Sequence, residues 1–222
     1  MVKARMVLLV AVLCGLAAVL WAAEEAKEAK EAKTVALPKP QMEGGKPLMQ
    51  ALKDRHTARK FSDKKLSDQV LSNLLWAADG VNRPDGKRTA PSAMNWQEID
   101  IYVATADGLF LYDAKANALV EIVAEDVRAL TGQQPFVKEA AVNLIYVADY
   151  AKMGGRGSDE TKNSWASVAA GCVTQNVYLF CASEGLNTVV RGMVPREQLT
   201  PKMNLRPEQK ILLAQTLGYP KQ

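Results

Sequence analysis

Residues Asn163 to Glu184 carry apolar side chains round nearly the whole circumference of a helix: Trp165, Val168, Val173, Tyr178, Leu179 and Phe180 leave no continuous polar face. Such a helix spans about 33 Å and needs cover on all sides. Thr174, Gln175 and Asn176 interrupt the run mid-length and argue against a membrane span. The chain must therefore wrap this helix in its own elements or in those of a second copy. Ala166, Ala169, Ala170 and Gly171 allow another backbone to approach closely, and Gly185 is a natural helix stop.

The wrapping elements are legible on either side. Leu48 to Asp54 reads as a short helix, and Ser67 caps a second one that runs to Gly80. Ile99–Ala104, Leu109–Asp113 and Leu119–Val123 alternate or run apolar between turn residues, the pattern of an antiparallel meander. Val142–Ala148 is apolar and β-prone, a buried central strand. A strand over Thr188–Val194, a short helix over Arg196–Met203 and a last strand over Ile211–Leu217 follow. Residues 81–91 and 152–161 are rich in turn formers, and a mobile loop is expected over 152–161. The whole is of the α+β class.

The start of the chain is of a different kind. Lys3 and Arg5 precede an apolar run over Met6–Trp21, and small residues follow, so residues 1–22 read as a secretory signal or an uncleaved anchor. Either places the rest of the protein outside the cytoplasm, periplasmic or anchored at the outer side of a membrane. Residues 23–46, opening EEAKEAKEAK and continuing through prolines and a glycine pair, have no apolar face and read as a solvated tether. Residues 47–222 are then one domain, with enough chain for a core. Cys172 and Cys181, if on one helix, are about 13 Å apart and too far for a bridge.

The chemistry concentrates in Arg55-His56-Thr57-Ala58-Arg59-Lys60-Phe61. It holds three permanent cations, a hydroxyl and the one histidine of the chain. On a helical turn Arg55 and Arg59 would share a face, and paired guanidinium groups suit a phosphate monoester. A solvated basic helix end is the plainer reading. A second polar cluster, Pro91-Ser92-Ala93-Met94-Asn95-Trp96-Gln97, precedes a strand. The formal charge of +4 leaves no nucleic-acid footprint, and a single histidine makes a zinc or haem site improbable. No G-x-G-x-x-G, P-loop or G-x-S-x-G motif is present, which disfavours Rossmann and P-loop nucleotide binding and hydrolase triads.

Four stretches together resemble the nitroreductase family of FMN-dependent flavoproteins. RHTARKF at 55–61 is similar to the family's opening R-[RH]-[ST]-x-[RK]-x-F, and PSAMNWQ at 91–97 to its P-S-x-x-N-x-Q. The 163–185 helix with the following Gly185-Leu186 resembles the family's central dimer helix, and LGYP at 217–220 its closing signature. GKRTAPSA is most like the branch that includes thiazole/oxazole-peptide dehydrogenases. The resemblance covers residues 46–221. It implies a three-layer α-β-α fold with a mixed, mainly antiparallel sheet, and an intertwined homodimer with FMN at the interface.

By the same resemblance, Arg55, His56 and Thr57 hold the FMN phosphate and ribityl chain. Arg59 stands near flavin N1 and the C2 carbonyl, where a cation stabilises the reduced, anionic flavin. Pro91, Ser92 and Asn95 line the flavin ring. Gln133 meets its pyrimidine side. Val190, Arg191 and Gly192 form the strand that passes the N5 region, with a backbone N–H toward N5. Arg88 is a further candidate cation without a match in the family pattern. Many relatives continue into a basic pair after G-Y-P, and Lys221 is the candidate substitute here. The implied activity is two-electron transfer from a reduced donor, first NAD(P)H, to a quinone, nitroaromatic or similar small acceptor. An exported flavoenzyme with a non-nicotinamide donor or a specific substrate to dehydrogenate, and a binding module that has lost FMN, are the alternatives. No acid–base residue and no metal ligand stands out.

Overall fold

The structure, a computed structural model, describes residues 33–155 and 157–221. Seven strands form one sheet: β1 (Thr34–Ala36), β2 (Ile99–Thr105), β3 (Gly108–Asp113), β4 (Ala118–Val123), β5 (Val142–Asp149), β6 (Asn187–Arg191) and β7 (Gln209–Gly218). Their order is β1-β4-β3-β2-β5-β7-β6, and each of these pairings is antiparallel. The helices are α1 (Leu48–Asp54), α2 (Asp68–Asp79), α3 (Phe136–Glu139), α4 (Asp159–Glu184) and α5 (Arg196–Lys202).

Strand alternation divides the core between the two sheet faces. Ile99, Ile101 and Val103 of β2, with Leu144 and Tyr146 of β5, pack on the side of α2 and α4. Tyr102 and Ala104, with Ile145 and Val147, face the opposite side, where Leu199 of α5, Met203 and Val127 close a second cluster. One-residue alternation on a strand buried on both faces gives this division. The result is helix, sheet, helix in three layers, as the resemblance implied.

The long helix α4 begins a turn earlier than its apolar run. Ser158 accepts a hydrogen bond from the Thr161 N–H and caps it, with Asp159 and Glu160 in the first turn. The loop expected over 152–161 is thus in part the end of a 3-10 turn (Tyr150–Met153) and the first turn of α4. Gly185 ends the helix with φ +70°, a conformation that favours glycine. Among the described residues no helix is long and apolar enough to cross a membrane. The helix is not covered all round: Trp165 is 50 % and Val168 61 % exposed.

The tether and β6 differ from the sequence reading as well. The expected tether is structured in its second half: Thr34–Ala36 pair with Ala118–Val120, and the Pro38 carbonyl accepts from Ser72 Oγ and Asn117 Nδ2. The alternation signal is too short over three residues to show against its prolines. The leader and the first part of the tether lie outside the described residues. The strand expected over Thr188–Val194 ends at Arg191, where Gly192 and Met193 bend out into solvent.

Candidate functional site: a basic extended segment and a left-handed loop

The heptapeptide is extended. The helix α1 stops at Asp54, and Arg55 has φ −57° and ψ 117°. The Ala58 N–H donates to the Thr188 carbonyl of β6, and Phe61 forms an antiparallel bridge with Pro220. The segment is therefore laid against β6 and the end of β7, and Arg55 and Arg59 do not share a helical face as their spacing suggested. Phe61, 2 % exposed, anchors it beside Phe136.

Tyr178 of α4 ties this segment to β6. Its hydroxyl accepts from the Val190 N–H at 3.1 Å and lies 3.0 Å from Thr57 Oγ1. Its ring carries the Arg55 guanidinium at 5.3 Å from the centroid, a cation–π contact. The sequence reading counted Tyr178 only as apolar surface of the helix. Its phenol also occupies the Val190 N–H, a candidate for the N–H that faces N5. The His56 Nδ1 lies 2.8 Å from the Asp54 carbonyl, so Nδ1 carries the proton and donates.

Several cations of this region stand without a carboxylate partner among the described residues. The ion pairs among the described residues engage Lys46, Lys65, Lys87, Arg88, Arg128, Lys152, Lys202 and Arg206. Arg55, Arg59, Lys60 and Lys221 have no carboxylate partner among those residues. The Lys221 N–H reaches the Lys60 carbonyl at 3.5 Å, so Lys221 lies beside the heptapeptide. A group of unpaired cations beside a hydroxyl fits the dianionic phosphate of FMN.

Arg191 takes a different position from the one expected. Its side chain is buried at 6 % exposure and turned away from the surface. Its Nη1 donates to the Thr131 carbonyl at 2.7 Å, Nη2 to Asn143 Oδ1 at 3.1 Å and Nε to Thr216 Oγ1 at 3.0 Å. Burial pulls its pKa down to about 10, and no carboxylate offsets that. Its side chain is therefore not available to a ligand. The Thr131–Gly132 turn rests on this guanidinium, and a methyl built at Gly132 would collide with Nη1. The contact places the exposed Gln133 next to the end of β6.

The second cluster is a tight loop with left-handed backbone. Met94, Asn95 and Gln97 have φ of +54°, +55° and +52°. Non-glycine residues are held there only by their surroundings. Ser92 Oγ accepts from the Gln97 N–H at 2.9 Å, and Asn95 Oδ1 accepts from Gln97 Nε2 at 3.2 Å. Pro91, Met94 and Asn95 are exposed. Gln97 was quoted within the motif but not among the candidate residues, and it is the hub of the loop. Among the described residues no hydrogen bond or ion pair joins this loop to the Arg55–Phe61 segment. Both lean on α4, the first at Tyr178 and the second at Val173, about 8 Å apart along its axis.

The comparisons match this architecture. The sequence profile of the nitroreductase family matches residues 52–219, from α1 to the end of β7. The chain belongs to the nitroreductase family. A Methanocaldococcus jannaschii protein assigned as a nitroreductase is 33 % identical over 152 residues, covering 62 % of this chain and 74 % of that one. The crystal structure of a Ralstonia eutropha JMP134 protein, likewise assigned, is 39 % identical with a TM-score of 0.81, covering 87 % of this chain and 92 % of that chain. A Desulfovibrio desulfuricans family structure in complex with FMN has a TM-score of 0.58 at 24 % identity, covering 80 % and 88 %, and shares the fold. Nitroreductase-family members are FMN-dependent oxidoreductases, and this chain is an enzyme of that class.

Proposed function

We propose that this protein transfers two electrons from NAD(P)H to a quinone, nitroaromatic or similar small organic acceptor, with FMN held by the residues described above. The observation that carries the site is the group of unpaired cations along Arg55–Lys60 and at Lys221, with Tyr178 fixing its lower edge. Bound FMN would accept a hydride at N5 and pass the electrons on. Arg55, His56, Thr57 and Lys221 hold the phosphate and ribityl chain. Arg59 places a charge where the reduced flavin becomes anionic. Pro91, Ser92, Asn95 and Gln133 line the ring, and the backbone of Val190, Arg191 and Gly192 borders its N5 edge.

Two features support a homodimer with the site at its interface. Trp165 and Val168 on α4, and Leu48, Met49 and Leu52 on α1, are exposed apolar side chains on two helices in contact. Among the described residues no hydrogen bond or ion pair joins the two groups of site residues directly. A second copy laid on α4 would cover the first and join the second. The basic and apolar opening of the sequence supports export. Outside the cytoplasm nicotinamide donors are scarce, which favours a different reductant as the second reading.

The visible spectrum of the protein, saturated with FMN and then dialysed into flavin-free buffer, tests the cofactor. One flavin per chain is expected, and a colourless protein overturns the assignment. Stopped-flow mixing with NADH and NADPH tests the donor: rapid bleaching of the flavin band supports the first reading, and its absence favours the second.

A further inference from the structure

Arg191 is a permanent cation enclosed by neutral groups. Thr131, Asn143 and Thr216, which accept from its guanidinium, are themselves buried. Thr216 Oγ1 donates to Asn143 Oδ1 at 2.6 Å, and Asn143 Nδ2 donates to the Val137 carbonyl at 2.8 Å. Thr131 Oγ1 donates to the Arg128 carbonyl at 2.8 Å. The socket is thus tied into β5, β7, α3 and the turn before it. None of these partners is an anion, and no ion pair among the described residues includes Arg191.

Neutral acceptors solvate a guanidinium but do not cancel its charge, and a lone buried cation is costly. A neutral side chain of similar length would fill the space without that cost, so packing does not account for the charge. The socket lies one side-chain length from the Val190–Gly192 backbone, which borders the flavin N5 edge in the reading above. A Cβ built at Gly192 meets nothing within 4 Å, which leaves the end of this strand open to a planar ring. Hydride transfer brings two electrons and one proton to the flavin, oxidises the donor, and leaves the ring system with one negative charge. The socket lacks an anion, and the reduced ring supplies one. Across the sheet interior the attraction is screened less than in water.

We propose that Arg191 sets the reduction potential of the flavin: its buried, unpaired charge favours the reduced, anionic ring over the oxidised, neutral one without touching it. The inference rests on the FMN reading of the site. The FMN phosphate carries its charge in both redox states, so its own attraction to Arg191 cancels. Even drawn down to about 10, Arg191 remains protonated at neutral pH.

The midpoint potential of the FMN-loaded full chain, measured against a reference dye, tests this in wild type and three variants. Arg191→Gln removes the charge. Asn143→Asp leaves Arg191 in its socket and sets a carboxylate beside Nη2. Arg191→Lys keeps a cation. In Arg191→Gln and in Asn143→Asp the preference for reduced over oxidised FMN should fall about tenfold or more, a drop of about 30 mV for a two-electron couple. Arg191→Lys should stay within about twofold of wild type in the same ratio. An unchanged potential in either charge-removing variant, or a fall in Arg191→Lys as large as in Arg191→Gln, overturns the proposal. Where Arg191→Gln does not fold, Asn143→Asp decides. Oxidised FMN, with its neutral ring, should bind every folded variant with near wild-type affinity; a folded variant that loses it overturns the proposal in favour of a structural role. Wild type that binds no FMN overturns the flavin reading, and this proposal with it.

Discussion

At the scale of single residues, Tyr178, the half-buried Arg55 and the exposed Arg59 are separable by substitution. Arg55→Ala and Arg59→Ala each remove a charge-assisted donor to the cofactor, worth about 1.5–3 kcal/mol. Each should weaken FMN binding by about 10-fold to 100-fold in a fluorescence titration while leaving the melting temperature near wild type. Tyr178→Phe keeps the ring under Arg55 but leaves the Val190 N–H without its acceptor. A loss of about 1 kcal/mol in denaturant unfolding is expected, together with weaker FMN binding. Gly132→Ala drives a methyl into the Arg191 guanidinium and should destabilise by about 1–3 kcal/mol. The identities of Arg55, Thr57, Arg59, Ser92 and Asn95 were readable from motifs, because each offers chemistry at a fixed spacing. Tyr178 was not: a tyrosine on an apolar helix looks like core until its hydroxyl has partners. Arg191 was read as lining the site, yet alternation along β6 turns its side chain inward, and only the strand's register could show that.

At the scale of elements, α4 was legible in type and in its C-terminal end. Its N-terminus was placed too late because Ser158 and the acidic first turn carry no apolar signal. Ser158→Ala should cost about 0.5–2 kcal/mol through loss of the cap, read as a lower denaturation midpoint. The same bias hid β1. Three residues at a sheet edge look like linker, although they close the open side of β4. A chain lacking residues 1–37 would expose the β4 edge, and light scattering should show concentration-dependent association beyond the dimer expected of the full chain. The heptapeptide taught the converse. Its four-residue spacing is a helical signal, but Phe61 and Ala58 are better satisfied by pairing with Pro220 and Thr188, and tertiary hydrogen bonds outweigh the weak local preference.

At the scale of the whole molecule, Asp79 makes stability depend on pH. Its folded-state pKa of about 7 lies above the ordinary carboxylate range. Its contribution is therefore fully present below about pH 4 and is lost as pH rises through about 7. Denaturation of wild type and Asp79→Asn across this range should show wild type losing stability relative to the variant as pH rises. The exposed apolar faces of α1 and α4 predict a dimer mass in light scattering, and Val168→Glu should shift it toward monomer. Taken alone, the amino-acid order determined the α+β class, the buried strand β5, the apolar helix and the family motifs, because periodicity and motif spacing are local properties of the chain. Only the tertiary structure decided which cations stay unpaired, that Arg191 is internal, and that Gln97 supports the loop. Charge pairing and burial belong to residues far apart in sequence, and their values exist only once the chain has brought them together.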